Sequence, residues 1–236
     1  MRRFTDRMFS LGTPALGVVL LCLAGCGTQR VPVTDNNSSA LALRAAIYTQ
    51  TAARGERSGP GVEFGYEGYS AKAARTLAPG ELFSLGGVDL VGPDTLRQRA
   101  TVGRAYVAYT HRLRYGPNFE LEPFVGVVRV ELRYRAEPTN SALRPALNVA
   151  QTGVIGGITP RWRFNEWLAL ELRVAGSNGR RTDSFSSDAA VVLSPAPNLS
   201  LRLGFSEREQ SARDEANTSW IEVRARGPSA SLLFEF

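Results

Sequence analysis

The feature that most restricts this chain is a strict two-residue alternation of apolar and polar side chains, repeated in several separate segments. Phe124, Gly126, Val128, Val130, Leu132 and Tyr134 fall on one side of an extended segment; Val125, Val127, Arg129, Glu131, Arg133 and Arg135 fall on the other. Leu168, Leu170, Leu172 and Val174 oppose Ala169, Glu171, Arg173 and Ala175. Leu199, Leu201, Leu203 and Phe205 oppose Ser200, Arg202, Gly204 and Ser206, and Val62, Phe64 and Tyr66 oppose Glu63, Gly65 and Glu67. Successive side chains of a strand point to opposite faces, whereas a helix needs apolar spacings of three and four. The chain is therefore read as all-β. Tight turns are expected at Gly116-Pro117-Asn118, Asn165-Glu166 and Pro195-Ala196-Pro197-Asn198, alternating with longer polar connections over 136–145, 177–187 and 207–218. Strands are expected near 40–50, 59–72, 81–92, 100–114, 119–135, 148–164, 167–176, 187–195, 199–211 and 218–236, about ten in all with eight as the alternative. Gly227-Pro228 is read as a bulge, which keeps the number even and returns both chain ends to one side.

Short turns at one end and long loops at the other describe an antiparallel up-and-down transmembrane β-barrel. Its apolar face would meet lipid and its polar face would fill the lumen. On that phasing the lumen holds a ladder of Glu63, Glu67, Arg129, Glu131, Arg133, Glu171, Arg173, Arg202, Glu222 and Arg224, together with Arg104, Arg112, Arg161 and Arg163. Both signs are present, so charges can pair between strands. A barrel this narrow is filled by its own side chains, so a plugged lumen is expected. Tyr115, Trp162, Phe164 and Phe236 lie beside the short turns, where amphipathic rings would form a headgroup-level girdle. The competing reading keeps the charges in solvent and makes the apolar face the core of a soluble periplasmic β-barrel or sandwich. Such a domain would bind a small apolar ligand or aid envelope assembly.

The start of the chain has its own pattern. Arg2, Arg3 and Arg7 precede an apolar run over 15–23, and the small residues Ala24 and Gly25 stand directly before Cys26. This is the layout of a secretory signal, and the run is shorter than the ~20 residues of a membrane-spanning helix. Leu23-Ala24-Gly25-Cys26 resembles the lipobox of bacterial lipoproteins. The resemblance implies removal of 1–25, lipid attachment at Cys26 and an effectively permanent anchor. With Gly27 and Thr28 following, and no Asp after the cysteine, it also implies sorting to the outer membrane. Residues 26–39 are polar and aperiodic, and are read as a flexible tether to a single β-barrel over 40–236. At the other end, Ala230, Leu232, Phe234 and the terminal Phe236 alternate in a way that is similar to the signal recognised by the barrel-assembly machinery. The implied partners are outer-membrane lipid and lipopolysaccharide with the lipoprotein-sorting and barrel-assembly machineries, for a monomer whose N-terminus is periplasmic.

Several function classes lack the residues they need. The formal charge is +6, and loss of Arg2, Arg3, Arg7 and Asp6 with the leader leaves +4. Arg and Glu are interspersed along the segments instead of gathered in a basic run, so nucleic acid is not an expected partner. Of two cysteines one leaves with the leader, so no intramolecular disulfide or thiolate cluster can form. His111 is the single histidine and shares a face with Val107 and Tyr109, which leaves little for metal sites or triads. Gly86-Gly87 and Gly156-Gly157 precede no helix, and Asp214-Glu215 reads as solvated loop charge. No catalytic residue, metal or cofactor is expected. The expected function is structural or interactive, with the loops 136–147, 176–188 and 207–217 displayed outward.

Overall fold

The structure is a computed structural model that describes residues 29–51, 57–213 and 219–236. It is all-β, with a mostly antiparallel main sheet of ten strands. In chain order the strands are β1 (Gln29–Asp35), β2 (Ala40–Thr51), β3 (Arg57–Leu77), β4 (Leu82–Leu85), β5 (Val88–Val91), β6 (Asp94–Tyr115), β7 (Phe119–Pro138), β8 (Ala146–Arg163), β9 (Leu168–Asn178), β10 (Thr182–Ala196), β11 (Leu199–Arg213) and β12 (Ser219–Glu235). β4 and β5 pair only with each other, and the remaining strands follow the order β1-β12-β11-β10-β9-β8-β7-β6-β3-β2. β12 also pairs with β2. A row of neighbours can therefore be followed around the sheet: Thr34, Arg224, Glu209, Phe185, Gly176, Gly156, Val125, Tyr109, Val62 and Ile47. It starts on β1 at Thr34 and ends on β2 at Ile47, further along the chain.

The tight turns fall where the sequence places them. Gly116 takes φ 73° between β6 and β7. Asn165 caps the β8–β9 turn, its Oδ1 accepting from the Trp167 and Leu168 N–H groups at 3.0 and 2.8 Å.

Four expectations are corrected. The span 81–92 is not a strand of the main sheet: Gly86 and Gly87 both take positive φ and reverse the chain into the β4–β5 hairpin. Residues 29–35, expected within the tether, form β1, because Val31 and Val33 alternate with Arg30, Pro32 and Thr34 and bury completely. The two ends of the described chain do not share a side. β1 and β2 run parallel to β12 as one interrupted strand, with one extra residue between Asp35 and Ala40 opposite Ala225–Ser229, so Gln29 and Phe236 lie at opposite ends. Finally, 177–187 is largely strand, since Ser177, Ser184 and Ser186 line the sheet's buried face, with Ser177 and Ser184 hydroxyls 2.6 Å apart. β11 likewise runs on to Arg213.

The faces of the long strands exchange character part-way along. On β7 the even-numbered residues are the buried set from end to end, but they change from Glu120 and Glu122 to Val128, Val130, Leu132, Tyr134 and Ala136. The exposed set changes in step, from Leu121, Val125 and Val127 to Arg129, Glu131, Arg133, Arg135 and Glu137. β6 does the same in reverse, burying Leu96, Ala100 and Val102 at one end and Arg104 and Arg112 at the other. β11 changes between Phe205 and Glu207, and β12 between Arg226 and Ala230. Across β8, β7, β6, β3 and β2 the last outward apolar residues are Val154, Val127, Val107, Tyr66 and Leu41, stepping along the hydrogen-bond rows as a common tilt requires. The half nearest the short turns is thus apolar outside and charged within. The other half has an ordinary apolar core and a charged exterior.

That core is closed at its end by the hairpin. Phe83, Leu85 and Leu90 join Leu77, Leu96, Tyr134, Ile221, Val31 and Val33 in one buried cluster. The hairpin leaves β3 and returns to β6, yet the Ser84 carbonyl accepts from the Ser219 hydroxyl at 3.3 Å, and a Cβ at Gly86 would strike the Ala146 carbonyl. It therefore lies across the end, reaching β12 on one side and β8 on the other.

Candidate functional site

Three features distinguish the apolar-surfaced half: its internal ion network, its outward belt, and the charged surface that borders the belt.

The network has seven arginines (Arg44, Arg104, Arg112, Arg161, Arg173, Arg202, Arg208) facing seven acids (Glu63, Glu67, Glu120, Glu122, Glu171, Asp188, Glu235) on the buried face. Removing an ion from water costs several kcal/mol, which only close partners offset, so such a set persists only if its members meet. They do. The Arg112 guanidinium donates to Glu122 at 2.8 Å, to Glu235 at 2.5 Å and to the Tyr48 hydroxyl at 2.7 Å, and lies 4.4 Å over the Tyr48 ring. The Tyr48 hydroxyl in turn donates to Glu122 at 2.9 Å. Further along, Arg173 donates to Glu63 at 2.9 Å and stacks 4.0 Å over Phe124, while the Tyr106 hydroxyl donates to the same Glu63 oxygen at 2.5 Å. Arg161 grips Glu171 through Nε and Nη2 at 3.0 and 2.8 Å, and Arg202 pairs with Glu171 from β11. Near the apolar core, Arg104 pairs with Glu67 and Arg208 with Asp188, the latter at 2.9 Å. At the short-turn mouth, Arg114 and Arg163 reach Glu120 at 3.2 and 3.0 Å.

Every strand from β2 to β12 except the β4–β5 hairpin supplies part of this network, so it ties nine strands of the main sheet together on one face. A cavity of about 50 Å³ remains among Arg44, Arg104, Arg173, Arg202 and Arg208. That volume holds a few water molecules, enough to serve guanidinium N–H groups that no protein acceptor meets.

The structure brings part of the expected ladder together on one face. Glu63, Glu67, Glu171, Arg173 and Arg202 are brought together in the network, as are Arg104, Arg112 and Arg161. Arg129, Glu131, Arg133, Glu222 and Arg224 are not: they stand on the outer face of the charged-surface half, with Arg133 72% and Arg129 61% exposed. The reason is the exchange of faces, which turns the alternation of 124–134 inside out relative to 119–127. Arg44, Glu120, Glu122, Asp188, Arg208 and Glu235 belong to the network and were not expected there. The signal available for them is the doubled Val127-Val128, where the apolar set changes from odd to even positions.

The outward belt carries Leu43, Ile47, Phe64, Val107, Val125, Ile158, Leu170, Leu172, Val191, Leu203 and Leu232 in exposed positions. Exposed rings crowd its short-turn edge. Tyr115, Trp162, Phe164, Trp167 and Phe236 all point outward there, with Phe119 6.1 Å from Tyr115 and 6.0 Å from Trp162. Phe234 is half-buried on the same face as Phe236. His111 is half-buried on the outer face, its Nδ1 3.4 Å from the Tyr109 hydroxyl. Cys26 lies outside the described residues. Among the described residues, no group of three His, Cys, Asp or Glu side chains is placed to hold a metal ion. No protein-family model, curated protein or solved structure matches the chain.

Proposed function

We propose that the chain forms a transmembrane β-barrel of the outer membrane, lipid-anchored through Cys26, plugged by its internal ions and acting through surface contacts. The observation that carries this reading is the inverted half: apolar side chains face outward while seven arginines and seven acids line the opposite face, six of those arginines and five of those acids buried. In water that arrangement wastes the hydrophobic effect and desolvates ions for nothing, whereas in a bilayer it places each group in its preferred medium. The dimensions agree with it. On β7 the outward apolar run covers Phe119–Val127, and on β6 Val107–Tyr115, against the 9–11 residues or so that a tilted strand needs to cross. The aromatic rim at the short-turn edge corresponds to a headgroup-level girdle. The pairing of β12 with β2, and the staggered return from Thr34 to Ile47, support closure of the sheet.

With the short turns periplasmic, as in other outer-membrane barrels, the charged-surface half projects outward and the hairpin cap becomes its tip. The ion-filled interior leaves no path for solutes, so the role that fits is structural or interactive, exercised by the projecting half. The test is extraction of a Cys26→Ser variant followed by electrophoresis with and without boiling. It should still require detergent and migrate differently unboiled. Release of that variant into detergent-free buffer as a soluble monomer would overturn the reading in favour of a tethered soluble domain.

A further inference from the structure

The charged exterior beyond the belt is not uniform. On the side formed by β11 and β12 the charges are internally matched. Arg224 meets Glu209 at 3.2 Å and Glu222 at 2.8 Å, and Arg226 donates to Glu207 at 2.8 Å. On the side formed by β3, β6 and β7 they are not. There Lys72, Arg97, Arg99, Arg129, Arg133 and Arg135 share the outer face with only Glu131 and Glu137. Glu131 is taken by Arg129 at 3.3 Å and Arg133 at 3.9 Å.

Lys72 stands directly opposite Arg99, and Arg99 directly opposite Arg135, so one row across three strands carries three like charges. None of these three has an acidic partner within ion-pair distance among the described residues. Like charges facing each other across a ladder weaken it. A sheet that keeps such a row is best explained by something anionic lying over it.

The height of the patch indicates which anion. Val127 is the last outward apolar residue of β7, and Arg129 follows it on the same face. Arg133 and Arg135 stand four and six residues further on. At ~3.3 Å per residue on a strand tilted by about 40°, they rise roughly 10–15 Å above Arg129. Glycerophospholipid phosphates occupy one plane at the bilayer surface, so they would meet the lowest arginine and miss the rest. A headgroup built of several phosphorylated sugars presents anions at several heights, and guanidinium groups grip phosphate oxygens in pairs.

We infer that the β3–β6–β7 face binds the phosphorylated sugar headgroup of a glycolipid in the leaflet bordering the belt; this rests on the membrane reading above. The test uses the full chain refolded into phosphatidylcholine vesicles and then transferred to detergent micelles for titration. The probes are deep-rough lipopolysaccharide, its dephosphorylated form, phosphatidylglycerol and soluble polyphosphate. We expect the phosphorylated lipopolysaccharide to bind best. The triple variant Arg99→Gln/Arg133→Gln/Arg135→Gln should lose on the order of 100-fold, at roughly fivefold per basic residue removed. Arg224→Gln/Arg226→Gln should change binding little. Without any glycolipid, the triple variant should unfold at the same or higher denaturant concentration than the parent, since the repelling row is gone. Failure of the chain to insert and show heat-modifiable migration would sink the membrane reading itself. Insertion with undiminished glycolipid binding by the triple variant, or with equal binding to phosphatidylglycerol or polyphosphate, would overturn the headgroup inference alone.

Discussion

Leu172 sits midway along the outward run of β9, between Leu168 and Gly176, and is 49% exposed. Arginine at this position separates the two possible environments of the belt by a wide margin. At the midplane of a membrane, an outward arginine on a barrel strand costs about 2–4 kcal/mol, falling to about 0–1 near the interfaces. On a solvent-exposed strand the same change stays within about ±0.5 kcal/mol, because no core contact is lost. The gap corresponds to roughly tenfold or more in the folding equilibrium constant. Ala150→Arg is the internal control: it is outward on β8 beyond the belt and faces Glu131 across the ladder, so it should be neutral or slightly stabilising. The assay is urea unfolding in phosphatidylcholine vesicles, followed by tryptophan fluorescence and by the fraction migrating as the heat-modifiable form. Leu172→Arg should lower the midpoint by about 1–2 M for a denaturant slope near 2 kcal/mol/M, with Ala150→Arg unchanged. Equal midpoints for Leu172→Arg and the parent would refute the assignment of the exposed apolar surface to lipid.

Three further outcomes follow from the buried contacts and one turn. Arg112→Leu removes the common partner of Glu122, Glu235 and Tyr48, and should cost about 3–5 kcal/mol in the same unfolding assay. Adding Glu122→Gln should restore part of that loss. Phe83→Ala opens a void under the hairpin cap and should cost about 3–5 kcal/mol, while Leu82→Ala, exposed on the neighbouring position, should cost little. The Ala78 N–H donates to the Glu81 carboxylate at 2.8 Å, and this bond, with Arg75 beside it, holds the Glu81 carboxyl below its ordinary range. A lowered carboxyl stabilises the turn above the ordinary carboxylate pKa and loses that effect as acid protonates it. Hydrogen exchange at Ala78, corrected for intrinsic rate, should therefore quicken as pH falls below the carboxylate range, and Glu81→Gln should abolish that dependence.

Much of the fold is legible because period two is a local property. Leu168–Val174 and Leu199–Phe205 carry it without interruption, and their apolar faces point outward as expected. What the alternation cannot reveal is which face is inside, since lipid outside and core inside select the same residues. Along single strands the outward set changes from apolar to charged while the inward set changes the other way. Val125-Gly126-Val127-Val128-Arg129-Val130 contains the crossover, yet reads as one continuous strand. Assigning a constant inward face along it sends Arg129, Glu131 and Arg133 to the wrong side while leaving Glu120 and Glu122 unnoticed. The hairpin and β1 were hidden for a different reason: short strands that bury against a distant part of the sheet, such as Val31 and Val33 against the core, have too few alternations to stand out from loop sequence. The partners of Arg112, on β2, β7 and β12, are set by the β12–β2 pairing and by the Thr34-to-Ile47 offset, neither of which any local window contains.

The direction of β1 bears on the proposed lipid anchor. Gln29 pairs with Ser219, at the far end of the projecting half, and the belt begins near Leu41. Along a strand that separation is about 35–40 Å, or roughly 25–30 Å of height at a tilt near 40°. Residues 26–28 span at most about 10 Å when fully extended. On the proposed membrane reading, an acyl chain on Cys26 could not enter a bilayer around the belt while β1 stays on β12. Freed back to Ser39, the fourteen residues from Cys26 would reach about 45 Å, which is ample. The ladder of β1 is with β12 alone, and towards β3 it is tied by the Lys72 N–H to Asp35 at 2.9 Å, with Ser38 beyond it bonding the Ser70 carbonyl at 2.7 Å; its release would also expose the buried Val31 and Val33. Anchoring and β1 docking thus compete, and a crosslink decides between them. Thr34→Cys with Arg224→Cys places two thiols directly opposite on the outer face, so oxidation would pin β1 in place. If the lipid at Cys26 enters the same membrane, the pair should oxidise poorly in the lipidated protein and readily after Cys26→Ser. Equal oxidation in both would mean that β1 remains docked, and that the acyl chains lie at the projecting tip instead of in the bilayer around the belt.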